Sequence, residues 1–220
     1  LMVPWMMQRV AAEGARDAER RLIQAEGVLT AQLVHGDSIS LDARGAIGAR
    51  VWRRARRPSA QPASFVYWTA LSAWGILLKD PGGAAPTRSE VIQRLARLQH
   101  RRYRGEDDPG PDDAMTSPFI TMPNAPAGFG DSSAPLDFVL TPQERTFLRR
   151  QLIGVLREDG AQSYLARLAE TKLPADASAP WSKRVARHAD AADRAVLTLA
   201  EAAAALSAIG RAIYAALTEA

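Results

Sequence analysis

The 220-residue chain is long enough for one large domain or two small ones, and its 47% hydrophobic content is too high for a disordered protein. The absence of cysteine excludes disulfides and thiolate metal sites and fits a reducing, cytoplasmic location. Alanine, arginine and leucine dominate while aromatic residues make up 6%, so we predict a mainly α protein, a helical bundle.

Residues 1–7 are apolar but too short to span a bilayer. No basic region precedes them and no small-residue cleavage site follows, so we predict neither a signal peptide nor membrane contact. The chain begins and ends inside apolar patterns, which indicates a piece of a longer protein.

Residues 16–35 follow a helical period, with Ala18, Leu22, Leu29 and Leu33 on one face and Gly27 weakening the middle. Ser40 or Asp42 is then a suitable cap for a short helix that reaches Trp52. A break follows at residues 56–63, where two prolines occur.

Two further helices are predicted before residue 104. The first is capped by Ser64 and carries aromatic residues at helical spacing, and the second is capped by Thr87 or Ser89. Between them, residues 76–78 suggest a short strand. Three short helices between residues 41 and 104 permit a trihelical or winged-helix-like basic subdomain.

Residues 105–140 hold six of the fourteen prolines and predict a long ordered loop or a linker. Thr141, Pro142 and Glu144 then form the clearest helix start, a capping box. A shorter helix is expected near 161–171, and an alanine-rich helix at 182–218, buried or bundled and breaking near Gly210. The predicted domains are therefore 1–104, a 105–140 loop or linker, and 141–220.

Charge is distributed unevenly along the chain. Residues 50–104 carry twelve Lys or Arg and two Asp or Glu, net +10, whereas residues 105–140 carry none and seven, net −7. The basic segment either binds a polyanion such as nucleic acid or an acidic protein partner, or is neutralised by the acidic segment folding back. Guanidinium groups suit phosphate oxygens, and the candidate nucleic-acid-binding residues are Arg50, Arg53, Arg54, Arg56, Arg57, Arg97, Arg101, Arg102 and Arg104.

Aromatic residues beside this basic stretch, Tyr67, Trp68 and Trp74, suit base stacking in principle, but their helical spacing favours a place in the core. His35, His100 and His188 lack partners at metal-ligand spacing. The acidic cluster at residues 106–113 lacks the spacing of a calcium loop, and no phosphate loop or nucleophile elbow occurs. We predict no metal, no cofactor and no catalytic residue, and the sequence leans against an enzyme.

Several short motifs occur in a fixed order: Val3-Pro4-Trp5, then Val66-Tyr67-Trp68 with Leu71 and Trp74-Gly75-Ile76, then Pro126-Ala127-Gly128-Phe129, then Leu140-Thr141-Pro142-Gln143-Glu144. In this order they resemble a bacterial family of uncharacterised proteins, a domain of unknown function. The resemblance covers most of the chain, and it implies longer members near antiphage-defence helicase and phospholipase D-like nuclease genes. It transfers no catalytic residue.

Two functional hypotheses follow. The first is a non-catalytic, nucleic-acid-associated accessory module in a bacterial antiphage defence system, with DNA and helicase or nuclease subunits as partners. The alternative is a helical protein-interaction scaffold without nucleic-acid contact, in which the basic and acidic segments pair with each other.

Overall fold

A computed structural model describes residues 1–14, 17–35, 46–104, 117–171, 173 and 179–219. The described residues form helices and no strand, which confirms the mainly α prediction. The helices are α1 (Met2–Ala12), α2 (Ala18–His35), α3 (Ala49–Ala55), α4 (Ala63–Val66), α5 (Trp68–Ala73), α6 (Arg88–Arg104), α7 (Pro142–Ile153), α8 (Tyr164–Glu170), α9 (Lys183–Ala186) and α10 (Ala191–Glu219).

The chain divides into two compact units, Leu1–Leu148 and Arg149–Ala220. This division differs from the predicted boundaries at 104 and 140. The described part of the proline-rich segment supplies Phe119 and Leu136 to the core of the first unit, so residues 117–140 are an ordered loop and not a linker. The remainder of that segment lies outside the described residues.

Helices α1, α2 and α6 form the core of the first unit, where α1 packs against both of the others. Met6, Met7 and Val91 are almost wholly inaccessible to solvent. The basic segment does not form a trihelical unit of its own, because α6 packs on α1 and α2 while α3 packs on α2. The expected strand at 76–78 is reduced to one isolated bridge between Leu77 and Phe119.

One glutamine attaches the ordered loop to α2. The buried Gln32 side chain donates to the carbonyls of Gly128 (2.9 Å) and Ala134 (3.1 Å), and it accepts from the Gly130 amide (2.8 Å). From α1, the Trp5 indole donates to the Pro123 carbonyl at 2.8 Å. Of the motifs quoted above, Val3-Pro4-Trp5, Leu71 and Ile76 are buried in this unit, whereas residues 126–128 are exposed.

The predicted helix starts are partly confirmed. Thr87 and Thr141 both form capping boxes, with Glu90 and Glu144 accepting from the threonine amides at 2.7 and 2.6 Å. Hydrogen bonds from Thr87 lower the pKa of Glu90. The Ser64 cap is wrong: α4 begins at Ala63, and the buried Ser64 amide donates to Glu26 of α2 at 2.9 Å. The predicted caps Ser40 and Asp42 lie outside the described residues.

The second unit has a small core of Tyr164, Leu168, Val185 and Ala189, formed by α8, α9 and the turn that precedes α10. At the start of α10, Asp193 is 8% exposed and forms ion pairs with Arg157 and Arg167. Asp190 and Asp193 also cap each other's backbone amides, at 2.9 and 3.2 Å.

Helix α10 differs from its prediction in two ways. It runs unbroken through Gly210, because one interior glycine costs a helix only about 1 kcal/mol. It is also exposed and not buried along most of its length, with Leu199 71% and Leu217 75% accessible. By length and composition, Ala191–Leu217 is the one described helix that is apolar enough to cross a membrane.

Candidate nucleic-acid interface

Helix α3, which carries the first arginine cluster, is seated on α2 by a close contact. A Cβ atom at Gly27 would lie 3.1 Å from the Trp52 ring, so the glycine lets the indole approach the α2 backbone. Gly48 precedes α3 with a φ of 83°, in the left-handed region that favours glycine. The glycine that weakens α2 in the sequence is thus the residue that positions the basic helix.

The arginines of α3 and its C-terminal end point into solvent. Arg53, Arg54, Arg56 and Arg57 are exposed, and none of them forms an ion pair with a residue that the structure describes. Arg50 is exposed too but already has an interaction partner. Arg56 ends the helix at a φ of 50°, a strained conformation for a residue with a side chain.

A groove of about 1030 Å³ adjoins this cluster. Arg57 and Arg88, the latter in the first turn of α6, both line it. The Arg88 guanidinium is 5.5 Å from the centre of the Phe65 ring, which is 58% exposed. The exposed Glu19 and the buried Glu26 also line the groove, so its lining includes acidic as well as basic residues.

Several arginines elsewhere in the described chain stabilise the fold. Arg9 and Arg21 donate to backbone carbonyls, and Arg94 pairs with Asp80 at 2.6 Å. Stabilisation of the fold therefore accounts for Arg9, Arg21 and Arg94, but it does not account for the arginines of α3.

The second predicted cluster lies on α6. Arg97 is exposed, and it lies nine residues beyond Arg88, or about 14 Å along the helix axis. Arg101, Arg102 and Arg104 belong to the last turn of the same helix, but their side chains lie outside the described residues. The structure therefore connects Arg57 with the start of α6, while the assignment of the Arg97–Arg104 end to a ligand stays a prediction.

The aromatic residues are divided between core and surface. Trp68 and Trp74 pack against the core, and the Trp68 indole donates to the Pro86 carbonyl at 3.0 Å. Tyr67, predicted to be in the core, is 43% exposed. The helix breaks at Tyr67 between α4 and α5, which shifts the phase of the helical pattern.

An apolar cavity of about 510 Å³ also lies in the first unit. Its charged wall side chains are Glu26, Asp137 and Glu144, and each carboxylate already accepts a hydrogen bond from a backbone amide. Among the described residues, no group of three His, Asp or Glu is arranged to hold a metal ion. The acidic cluster at 106–113 lies outside the described part of the chain, as does its suggested pairing with the basic segment.

No family model, curated protein or solved structure matches this chain.

Proposed function

We propose that the first compact unit is a non-catalytic module that binds nucleic acid through the arginines of α3 and the adjoining groove. The observation that carries this proposal is a group of exposed arginines that form no ion pair with a residue the structure describes: Arg53, Arg54, Arg56 and Arg57. Guanidinium groups in such a cluster neutralise phosphates and release condensed counterions.

The groove adds a contact of a second kind. Phe65 offers an exposed ring beside Arg88, and base stacking on aromatic faces is tolerant of sequence. The described surface presents no helix that is set apart for major-groove readout, so phosphate contact dominates and sequence preference is weak. Single-stranded nucleic acid suits this combination better than a duplex does.

Fluorescence anisotropy with labelled single- and double-stranded DNA, across about 50 to 200 mM salt, tests the proposal. The test variant is Arg53→Gln/Arg54→Gln/Arg57→Gln. If each arginine meets one phosphate, the slope of log affinity against log salt becomes shallower by about two to three.

The matched control is Arg145→Gln/Arg187→Gln/Arg194→Gln, which removes the same charge from exposed positions elsewhere. We expect this control to bind almost as the parent does. Equal weakening of both variants would assign binding to net charge alone, and absence of binding at low salt by folded protein would refute the proposed function.

The cellular setting belongs to the same proposal. A cytoplasmic antiphage defence complex with helicase or nuclease subunits follows from the family resemblance and the composition. A second candidate function, an interaction scaffold, is favoured by the exposed apolar surface of α10, which lies in the other unit.

A further inference from the structure

Helix α10 exposes a continuous apolar stripe, which we call the seam. Val196 is 65% accessible, Leu206 70% and Ile213 56%. Soluble proteins rarely expose several large aliphatic side chains in a row. Where they do, the exposed apolar patch usually marks an interaction surface. The seam residues are Ala192, Val196, Leu199, Ala203, Leu206, Gly210, Ile213 and Leu217.

The spacing of the seam indicates its partner. Its positions alternate by four and three residues over the whole length, which is the 3.5-residue period of a helix that packs along another helix. Glu201 and Arg211, the charged residues between 195 and 217, both fall on the outer positions of this heptad. Polar and apolar groups are therefore separated as they are in a coiled coil.

The unit's own core does not cover the seam. Leu197 packs against that core, and Leu197, Ala200 and Ala204 are the half-buried residues of this stretch. They recur at helical spacing on a flank of α10, roughly 120° around the helix axis from the seam. Since one side of α10 faces its own unit, the seam faces outward.

A lipid bilayer is a poorer partner for this helix. On insertion scales, one charged residue near the middle of a span offsets about five leucines or valines. Between 195 and 217 the helix has seven leucine, isoleucine and valine residues against Glu201 and Arg211. A second helix buries the seam and leaves both charges in water.

We propose that the seam pairs with the α10 seam of a second copy of this chain, in antiparallel orientation. In the register that uses the full seam, Ala203 faces Leu206 of the partner subunit and Leu199 faces Gly210 of the partner subunit. By the same register Ala192 faces Leu217 of the partner subunit, and Val196 faces Ile213 of the partner subunit. Each of the three small residues, Ala192, Ala203 and Gly210, then meets a leucine, so no layer consists of small residues alone.

Parallel pairing lacks this complementarity. It would place glycine on glycine at 210 and alanine on alanine at 203, between layers of paired leucine or isoleucine. The large layers hold the helices apart, so the small layers would leave voids, and voids in a packed interface cost stability.

The contact is large enough for a stable dimer. Each helix supplies six exposed large side chains, five from the seam and Ile209 at its edge: Val196, Leu199, Leu206, Ile209, Ile213 and Leu217. Burying one such side chain removes on the order of 100 Å² of apolar surface, so the pair buries about 1,200 Å². That is the lower end of the range for specific interfaces.

Sedimentation equilibrium of the full chain tests the association. We expect a monomer–dimer equilibrium, and Leu199→Ala and Gly210→Leu should each weaken it at least tenfold, the first by a cavity and the second by crowding. The double variant refills the layer and should restore the parent affinity to within about threefold. Circular dichroism checks that each variant keeps its helix content.

Cysteine crosslinking tests the orientation, and the chain has no cysteine of its own to interfere. A mixture of Val196→Cys and Ile213→Cys chains should form a disulfide dimer, whereas each variant alone should not, since its two thiols would lie about 25 Å apart. Crosslinking of either variant by itself would overturn the antiparallel arrangement. A chain that stays monomeric at all concentrations, or that partitions into lipid vesicles, would overturn the proposal altogether.

Discussion

Replacing Gln32 by methionine tests how much the hydrogen bonds of its side chain, as distinct from its packing, stabilise the contact between α2 and the loop residues 128–134. The side chain is 1% exposed, and methionine keeps nearly the same volume, so the change creates little cavity. It removes three hydrogen bonds, two donated to the Gly128 and Ala134 carbonyls and one accepted from the Gly130 amide. At about 1 kcal/mol each, the loss is about 3 kcal/mol.

The surrounding residues set the range of that value. Gly128 is exposed, so water replaces part of its lost hydrogen bond, whereas Gly130 and Ala134 are half-buried and recover less. We therefore expect the free energy of unfolding to fall by about 2–4 kcal/mol. Urea denaturation followed by tryptophan fluorescence measures it, because four of the five tryptophans lie in the first unit.

Gln24→Met is the matched control, an exposed glutamine on the same helix. Its effect should stay within about 0.5 kcal/mol. A Gln32→Met effect equally small would refute the view that one glutamine holds the loop in place, and would point to Trp5 and Leu136 as the main contacts.

Two further predictions concern other parts of the chain. Trp68→Phe removes the donor to the Pro86 carbonyl, whereas the buried Trp52 indole nitrogen has no partner among the described residues. In urea denaturation, Trp68→Phe should therefore lower the free energy of unfolding by about 1–2 kcal/mol more than Trp52→Phe does. Equal losses of stability in the two variants would contradict this. Arg157 and a backbone amide lower the pKa of Asp159 below its usual 3.8, so its contribution to stability is complete above about pH 4 and is lost as the pH falls through the lowered pKa. Thermal melting between about pH 2.5 and 6 should show a shallower acid loss in Asp159→Asn than in the parent, and identical profiles would exclude this carboxylate as a contributor.

Local signals in the sequence predicted the helices that have local causes. The predicted capping box at Thr141 and the predicted cap at Thr87, for which Ser89 was the alternative, are confirmed because a cap depends on residues three positions apart. Ser64 looked like a cap by the same rule, but its amide is bound by Glu26, which lies 38 residues earlier in the chain. Tertiary contacts of that kind leave no mark in a local pattern.

Helix α1 was not predicted because it lacks periodic contrast. Val3, Trp5, Met6, Met7 and Val10 are all buried, so residues on several sides of this helix face protein. The period of the seam of α10, in contrast, is present in the sequence, but the same pattern suits a buried helix. Only the structure shows that the described core of the second unit leaves this surface exposed.

The candidate site was predicted in part. Runs of arginine are visible in any sequence, and their exposure follows from their charge. Arg88 stands apart from those runs, and Phe65 has the spacing of a core residue. Arg88 and Phe65 come together at the groove because of the way α4 and α6 pack, and no local sequence pattern around either residue predicts that packing.

The ion cluster at the base of α10 also has a mechanical consequence. Asp193, Arg157 and Arg167 fix the first turn, while the packed face ends near Ala204, less than halfway along a helix about 43 Å long. The helix is therefore a lever held at one end. A tilt of about 10° at the cluster would move its far end by about 5 Å or more, so a change of charge at Asp193 would be amplified at Leu217.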